Sequence, residues 1–239
     1  MPKIDRSKKT IGNSDLDQHA YQGIRQMLFY NEIFPGQKIK YQDLADRLGV
    51  SITPVIHALK WLEFRGIVRH ETNKGYYINE VSSQEIVEIY DTRILIEVSL
   101  VPDIMRNLNG KELQRLEKTL EEFKQAVDEE DYYKRLMTDM KFHLTLASIA
   151  KHRIQLKMLQ ELFDLLLLKY SRNLVLLGIM DSSQQEHFQI LEDVQNENAS
   201  KLEKTITAHL QNVKEHISEG FKRMLVSKRE SVADLYSFQ

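Results

Sequence analysis

Residues 41–60 read Tyr41-Gln42-Asp43-Leu44-Ala45-Asp46-Arg47-Leu48-Gly49-Val50-Ser51-Ile52-Thr53-Pro54-Val55-Ile56-His57-Ala58-Leu59-Lys60. The pattern predicts a short helix over Tyr41–Leu48. Gly49 stops it, because glycine enters the left-handed conformation of a helix C-terminus without a Cβ clash. A second helix is expected from about Thr53, whose hydroxyl can cap it, with Pro54 in the first turn where no backbone N–H is needed. Ala45 is small where the two helices cross, and Val55 and Leu59 face that crossing. The steps from Ala45 to Gly49 to Val55 suit two helices packed across a tight turn.

Working outward, Tyr21, Ile24, Leu28 and Phe29 recur at helical spacing. They predict a helix over Leu16–Tyr30, which Phe34-Pro35-Gly36 ends in a turn. Downstream, the second helix runs on through Trp61, Leu62 and Phe64 to Gly66. Ile67–His70 and Tyr76–Ile78 then flank Asn73-Lys74-Gly75, a β-hairpin whose turn Gly75 supplies. These pieces in this order make a winged helix-turn-helix over residues 15–79, a unit that lays its second helix in the major groove of double-stranded DNA.

The chain has 239 residues, 42% hydrophobic and 28% charged, enough for two domains. No apolar run approaches the ~20 residues of a membrane span; Leu165–Leu168 is the densest. Met1–Gly12 lacks the apolar core of a signal peptide. The absence of cysteine excludes disulfides and thiolate metal ligands. These features point to the cytoplasm, with no membrane partner. Net charge is -2, but residues 1–80 hold 12 Lys/Arg against 9 Asp/Glu, and the remainder 21 against 26. A phosphate backbone would therefore sit against the first segment.

Six of nine glycines and three of four prolines precede residue 80, and no proline follows Pro102. The rest of the chain reads as an all-α bundle of about six helices over residues 84–226. They are expected at Gln84–Leu108, Lys111–Glu129, Tyr132–Ile149, Arg153–Leu177, Ser182–Gln195 and Ala199–Leu225. Ser82-Ser83-Gln84-Glu85 reads as the capping box that opens it. Residues 1–14, with Lys3, Arg6, Lys8 and Lys9, form a polar tail, and residues 227–239 a second one. The fold class is thus mainly α, with a small β-hairpin wing.

The first domain resembles the GntR family of bacterial regulators. The run that carries the resemblance is Phe34-Pro35-Gly36, Leu44 to Val55, Ala58-Leu59, Leu62-Glu63, Gly66-Ile67-Val68 and Gly75. The family pattern has arginine at the positions of Ile52 and Ile56 and glutamate at that of His57, and those arginines contact bases and phosphates. An isoleucine offers only apolar contact, for example to a thymine methyl. The expected reading face is Ser51, Thr53, His57 and Lys60, with Lys60, Arg65 and Lys74 on phosphates. The alternative is a ligand-binding or interaction module with a degenerate DNA-binding head.

In the second domain Asp139 and His143 are four residues apart on one helix face. Spacing alone leaves a salt bridge and a shared metal both open. The arrangement Asp139-x3-His143, His187, His209, with Arg93-x3-Glu97, resembles the FCD effector domain of one GntR subgroup. The resemblance implies a divalent metal (zinc, nickel or manganese) on Asp139, His143, His187 and His209. It also implies a small organic acid as effector. Arg93 is the candidate partner for that acid, or else an internal partner of Glu97, and Asn173 a further effector contact. His216 faces the side of His209 as a spare ligand. Lys151-His152 stands where the family often has Gly-Asn, which is expected to alter a helix turn and not the metal set. The function implied is that of a homodimeric transcriptional regulator controlled by its effector. A metal-dependent enzyme is the more distant alternative.

Overall fold

The computed structural model describes residues 13–80, 82–177 and 183–236, with side chains described over 14–80, 82–170 and 183–223. Contacts divide the chain into two compact units, Met1–Glu80 and Val81–Gln239. The polar tail expected over residues 1–14 lies, through residue 12, outside the described residues.

The first unit runs α1 (Asn13–Phe29), α2 (Tyr41–Leu48), α3 (Ile52–Phe64), β1 (Val68–Glu71) and β2 (Gly75–Ile78). α1 buries Ala20, Tyr21, Ile24 and Leu28 against α3. Leu44 and Ala45 of α2 and Val55, Ala58, Leu59 and Leu62 of α3 complete this core. Gly49 caps α2 at φ 65, as its position requires. Gly23 of α1 leaves room for Leu48: a Cβ there would collide with Leu48 Cδ2. The start of α3 corrects the sequence expectation. Ser51, not Thr53, is the N-cap, and Pro54 falls in the third helical position. That position still asks no N–H of proline, since the first turn has no acceptor to offer.

The hairpin pairs Val68 with Ile78 and Glu71 with Gly75, around a loop in which Asn73 and Gly75 have positive φ. A third extended segment joins it. Gly36 N–H donates to Ile78 O, Ile39 N–H to Tyr76 O and Ile78 N–H to Gln37 O, at 2.9 to 3.0 Å. The sequence had marked residues 34–36 only as a turn.

The second unit is helical: α4 (Ser83–Ser99), α5 (Val101–Asn107), α6 (Gly110–Asp128), α7 (Tyr132–Ile149), α8 (Arg153–Leu177), α9 (Ser183–Gln195) and α10 (Ala199–Tyr236). α7 packs between α6 and α8, while α10 lies along α4 and α9. Two boundaries differ from expectation. The helix predicted over Gln84–Leu108 breaks at Leu100, because Pro102 in the first turn of α5 cannot continue α4. α10 runs past Leu225 to Tyr236, through a stretch with no glycine or proline to stop it. Caps fix the rest: Ser82 accepts from Glu85 N–H, Asn109 from Lys111 and Glu112, and Asp131 from Lys134. Tyr170 of α8 completes the capping box. Its hydroxyl accepts from Ser82 N–H at 3.2 Å and also contacts the Glu85 carboxylate, which Lys169 pairs. Among the described residues, no helix is long and apolar enough to cross a membrane.

Candidate metal centre and DNA-reading face

α7, α9 and α10 each bring histidine to one buried point. His143, His187 and His209 are 0–2% exposed, and Asp139 lies beside them. One ligand atom from each of the four lies within 4.8 Å of the others. His143 Nε2 is 3.2 Å from His187 Nε2 and 3.3 Å from His209 Nε2, and Asp139 Oδ1 is 3.2 Å from His187 Nε2.

The other ring nitrogens decide what these atoms are. His143 Nδ1 faces Glu97 Oε2, His209 Nδ1 faces Glu186 Oε2 and His187 Nδ1 faces the Ser183 carbonyl, each at 2.7 Å. All three partners only accept, so each Nδ1 carries the proton and donates. A ring that keeps only this Nδ1 proton turns an Nε2 lone pair inward. Burial, followed by the neighbouring His187, lowers His209 to about 4, which keeps its ring neutral near neutral pH.

Three Nε2 lone pairs and a carboxylate converging on one point offer a ready ligand set for a cation placed between them. Two nitrogens each ~2.0–2.1 Å from one zinc ion would sit roughly 3–3.4 Å apart. The residues therefore fit a divalent cation.

Arg93 and Glu97, on α4, are buried beside this cluster, with Arg93 Nε 2.9 Å from Glu97 Oε1. The guanidinium lies 4.4 Å from the Phe163 ring centroid and 5.1 Å from that of Tyr90. Its Nη2 is buried, with no hydrogen-bond partner among the described residues. Arg93 is thus the internal partner of Glu97, the second of its two sequence readings. Arg135 of α7 donates to Ser183 Oγ at 3.0 Å, steadying the residue whose carbonyl holds His187.

Two further histidines of this unit, the spare ligand His216 among them, stand elsewhere. His216 is not among the clustered ligands, and His152 pairs with Asp103 at 3.0 Å. The Asn173 side chain lies outside the described residues. Sequence reasoning missed Glu97 and Glu186 as orienting groups, which act 46 and 23 residues away from their histidines.

In the first unit, α3 buries Pro54, Val55, Ala58, Leu59 and Leu62 and leaves Ser51, Ile52, Thr53, His57 and Lys60 exposed. His57 Nδ1 is 3.0 Å from Asp17 Oδ2 of α1. Arg65, partly exposed, places its guanidinium 5.9 Å from the Tyr21 ring centroid. Lys74, on the hairpin loop, pairs with Glu71 at 3.2 Å and remains 67% exposed.

The FCD domain model matches residues 88–212, and the model for bacterial regulatory proteins of the gntR family matches residues 16–78. The chain belongs to the GntR family and carries an FCD domain. It is a DNA-binding transcriptional regulator with a winged head and a helical effector domain. It is 29% identical over 202 residues to the HTH-type transcriptional regulator YdhC of Bacillus subtilis, covering 82% of this chain and 88% of that one. LutR of the same organism is 24% identical over 217 residues, covering 82% and 98%. The solved structure of Escherichia coli McbR/YncC shares the fold at a TM-score of 0.74 and 19% identity, covering 87% of this chain and 98% of that one.

Proposed function

We propose that this regulator senses a small carboxylic acid in its FCD domain and that the acid sets its affinity for operator DNA. Asp139, His143, His187 and His209 would hold a divalent metal: zinc, nickel or manganese. When bound, that ion supplies open coordination positions that a carboxylate can fill. The observation that carries the reading is the common orientation of three rings, each with Nδ1–H spent on a fixed acceptor and Nε2 aimed at one point.

The chain's own groups do the rest. Glu97, Glu186 and Ser183 fix the tautomers and hold the rings against rotation. Arg93 offers its spare Nη2 to an anion, as guanidinium does to carboxylate. Tyr90 and Phe163 wall the guanidinium off from water, which strengthens any charge contact it makes. The protein acts as a homodimer, placing two reading helices on successive turns of the duplex. An acid that binds one domain arrangement better than another shifts the population toward it, and DNA affinity follows.

The test uses two readouts on the full chain. Bound metal is measured by elemental analysis. Retention of genomic DNA fragments is measured with and without small carboxylic acids. His143→Ala with His187→Ala is expected to abolish bound metal and the acid response while a folded winged helix still retains DNA. A double variant that still answers the same acid overturns the proposal.

A further inference from the structure

The solvent face of α3 has an unusual composition for a reading helix. From Ser51 through Ala58 it carries no Arg, Lys, Asn, Gln, Asp or Glu. Those are the side chains that make the hydrogen bonds distinguishing guanine, adenine and cytosine edges. What the face does carry is Ile52, 38% exposed, Thr53, exposed, and Ile56, partly exposed. Ile52 and Ile56 are one helical turn apart, so their methyl groups adjoin, with Thr53 alongside. The opposite side, Pro54, Val55, Ala58, Leu59 and Leu62, is buried, so core packing does not account for the two isoleucines. The basic side chains stand outside this stripe: Lys60 one turn further along the helix and Lys74 on the wing, both exposed.

In the major groove the apolar group on a base edge is the C5 methyl of thymine. His57 adds a polar reading. Its Nδ1 lies 3.0 Å from Asp17 Oδ2, an acceptor, so in the tautomer with the proton on Nδ1 the ring turns Nε2 outward as an acceptor. Adenine N6 is a donor on the same major-groove edge of an A·T pair, with thymine O4 between it and the thymine methyl.

We propose that this helix selects A·T pairs by packing thymine methyls against Ile52, Thr53 and Ile56, while His57 Nε2 accepts from an adjacent adenine N6. Lys60 and Lys74 supply sequence-independent attraction to phosphates. Asp17 is a positioning residue: it holds the imidazole edge outward. The inference rests on the winged helix reading DNA and is independent of the metal centre.

The experiment selects duplexes from a random pool with the full-length protein at roughly 0.15 M salt, the physiological range. The best duplex is then remade with deoxyuridine in place of thymidine, which deletes the methyl and keeps the pairing. The expected result is half-sites rich in A·T pairs. Each uracil at a contacted position should weaken binding about fourfold, the equivalent of one buried methyl. Ile52→Ala with Ile56→Ala should bind the two duplexes equally, with an unchanged helical signal because both side chains are at the surface. Enriched sites indifferent to uracil, or sites read through G·C pairs, overturn the inference but leave DNA binding intact. No enrichment at all overturns specific reading by this helix altogether.

Discussion

His143 Nδ1 lies 2.7 Å from Glu97 Oε2, and neither side chain is more than 3% exposed. Burial opposes ionisation of Glu97, but Arg93 and His143 hold its carboxyl down at about 2. It is therefore an obligate acceptor near neutral pH, and His143 has one tautomer available. Glu97→Gln breaks that constraint, since an amide can offer either its oxygen or its NH2 to the ring. Affinity for zinc, nickel or manganese should fall about 10–100-fold. Titration of the metal-free protein measures this, and an unchanged affinity would mean that Glu97 does not orient the ligand.

The same carboxylate makes Arg93 a stability determinant. Arg93→Met removes the only guanidinium bonded to Glu97 among the described residues and leaves a buried charge short of its partner. The expected cost is about 3–5 kcal/mol in denaturant unfolding. Combining Arg93→Met with Glu97→Gln should recover part of that loss, since the unpaired charge is then gone too. If the two losses simply add, the pair is not coupled.

The winged head was legible because its signals are local. Gly49, Ala45 and Gly75 sit where backbone or packing admits little else, and a few residues of context identify each one. The helices over Tyr132–Ile149 and Arg153–Leu177 were equally readable, from periodicity and clear breaks. Pro102 is a visible breaker, but apolar spacing continues across it and masks the break. The four ligand residues were suggested by a resemblance, and only the Asp139–His143 step has a local spacing rule. Glu186 and the Ser183 carbonyl leave no such trace. A carbonyl has no residue-type signature, and a carboxylate across a bundle is found only when the helices are packed.

Asp193 of α9 carries a prediction that does not involve the metal ligands. Its carboxylate is fully buried and receives Lys201 at 2.8 Å, Gln189 at 3.0 Å and Thr205 at 2.6 Å. Burial raises its pKa, but these three donors outweigh burial and leave it lowered. A carboxyl lowered by folding contributes stability above its unfolded pKa and loses it as pH falls through the folded value. Asp193→Asn should cost about 1–3 kcal/mol near neutral pH. The gap to the wild type should close below about pH 4. Urea unfolding across that range is the measurement; a pH-independent gap would assign the loss to packing alone.

The turn between α7 and α8 gives a substitution expected to stabilise. Lys151 has φ 62, while its N–H donates to the Ser148 carbonyl at 3.1 Å. That conformation costs a residue with a Cβ about 1–2 kcal/mol and costs glycine almost nothing. Glycine in turn loses about 0.4–1 kcal/mol through the greater freedom of its unfolded chain. The Lys151 side chain is exposed, so no buried contact is lost with it. Lys151→Gly should therefore stabilise the second unit by roughly 0.5–1 kcal/mol, read as a rise in denaturant midpoint at constant slope. Gly49→Ala provides the opposite case: φ is 65 and the space around a Cβ is open, so only backbone strain enters. It should lower stability of the winged head by about 1 kcal/mol. A neutral Lys151→Gly beside a destabilising Gly49→Ala would mean that the lysine turn relaxes in solution to negative φ.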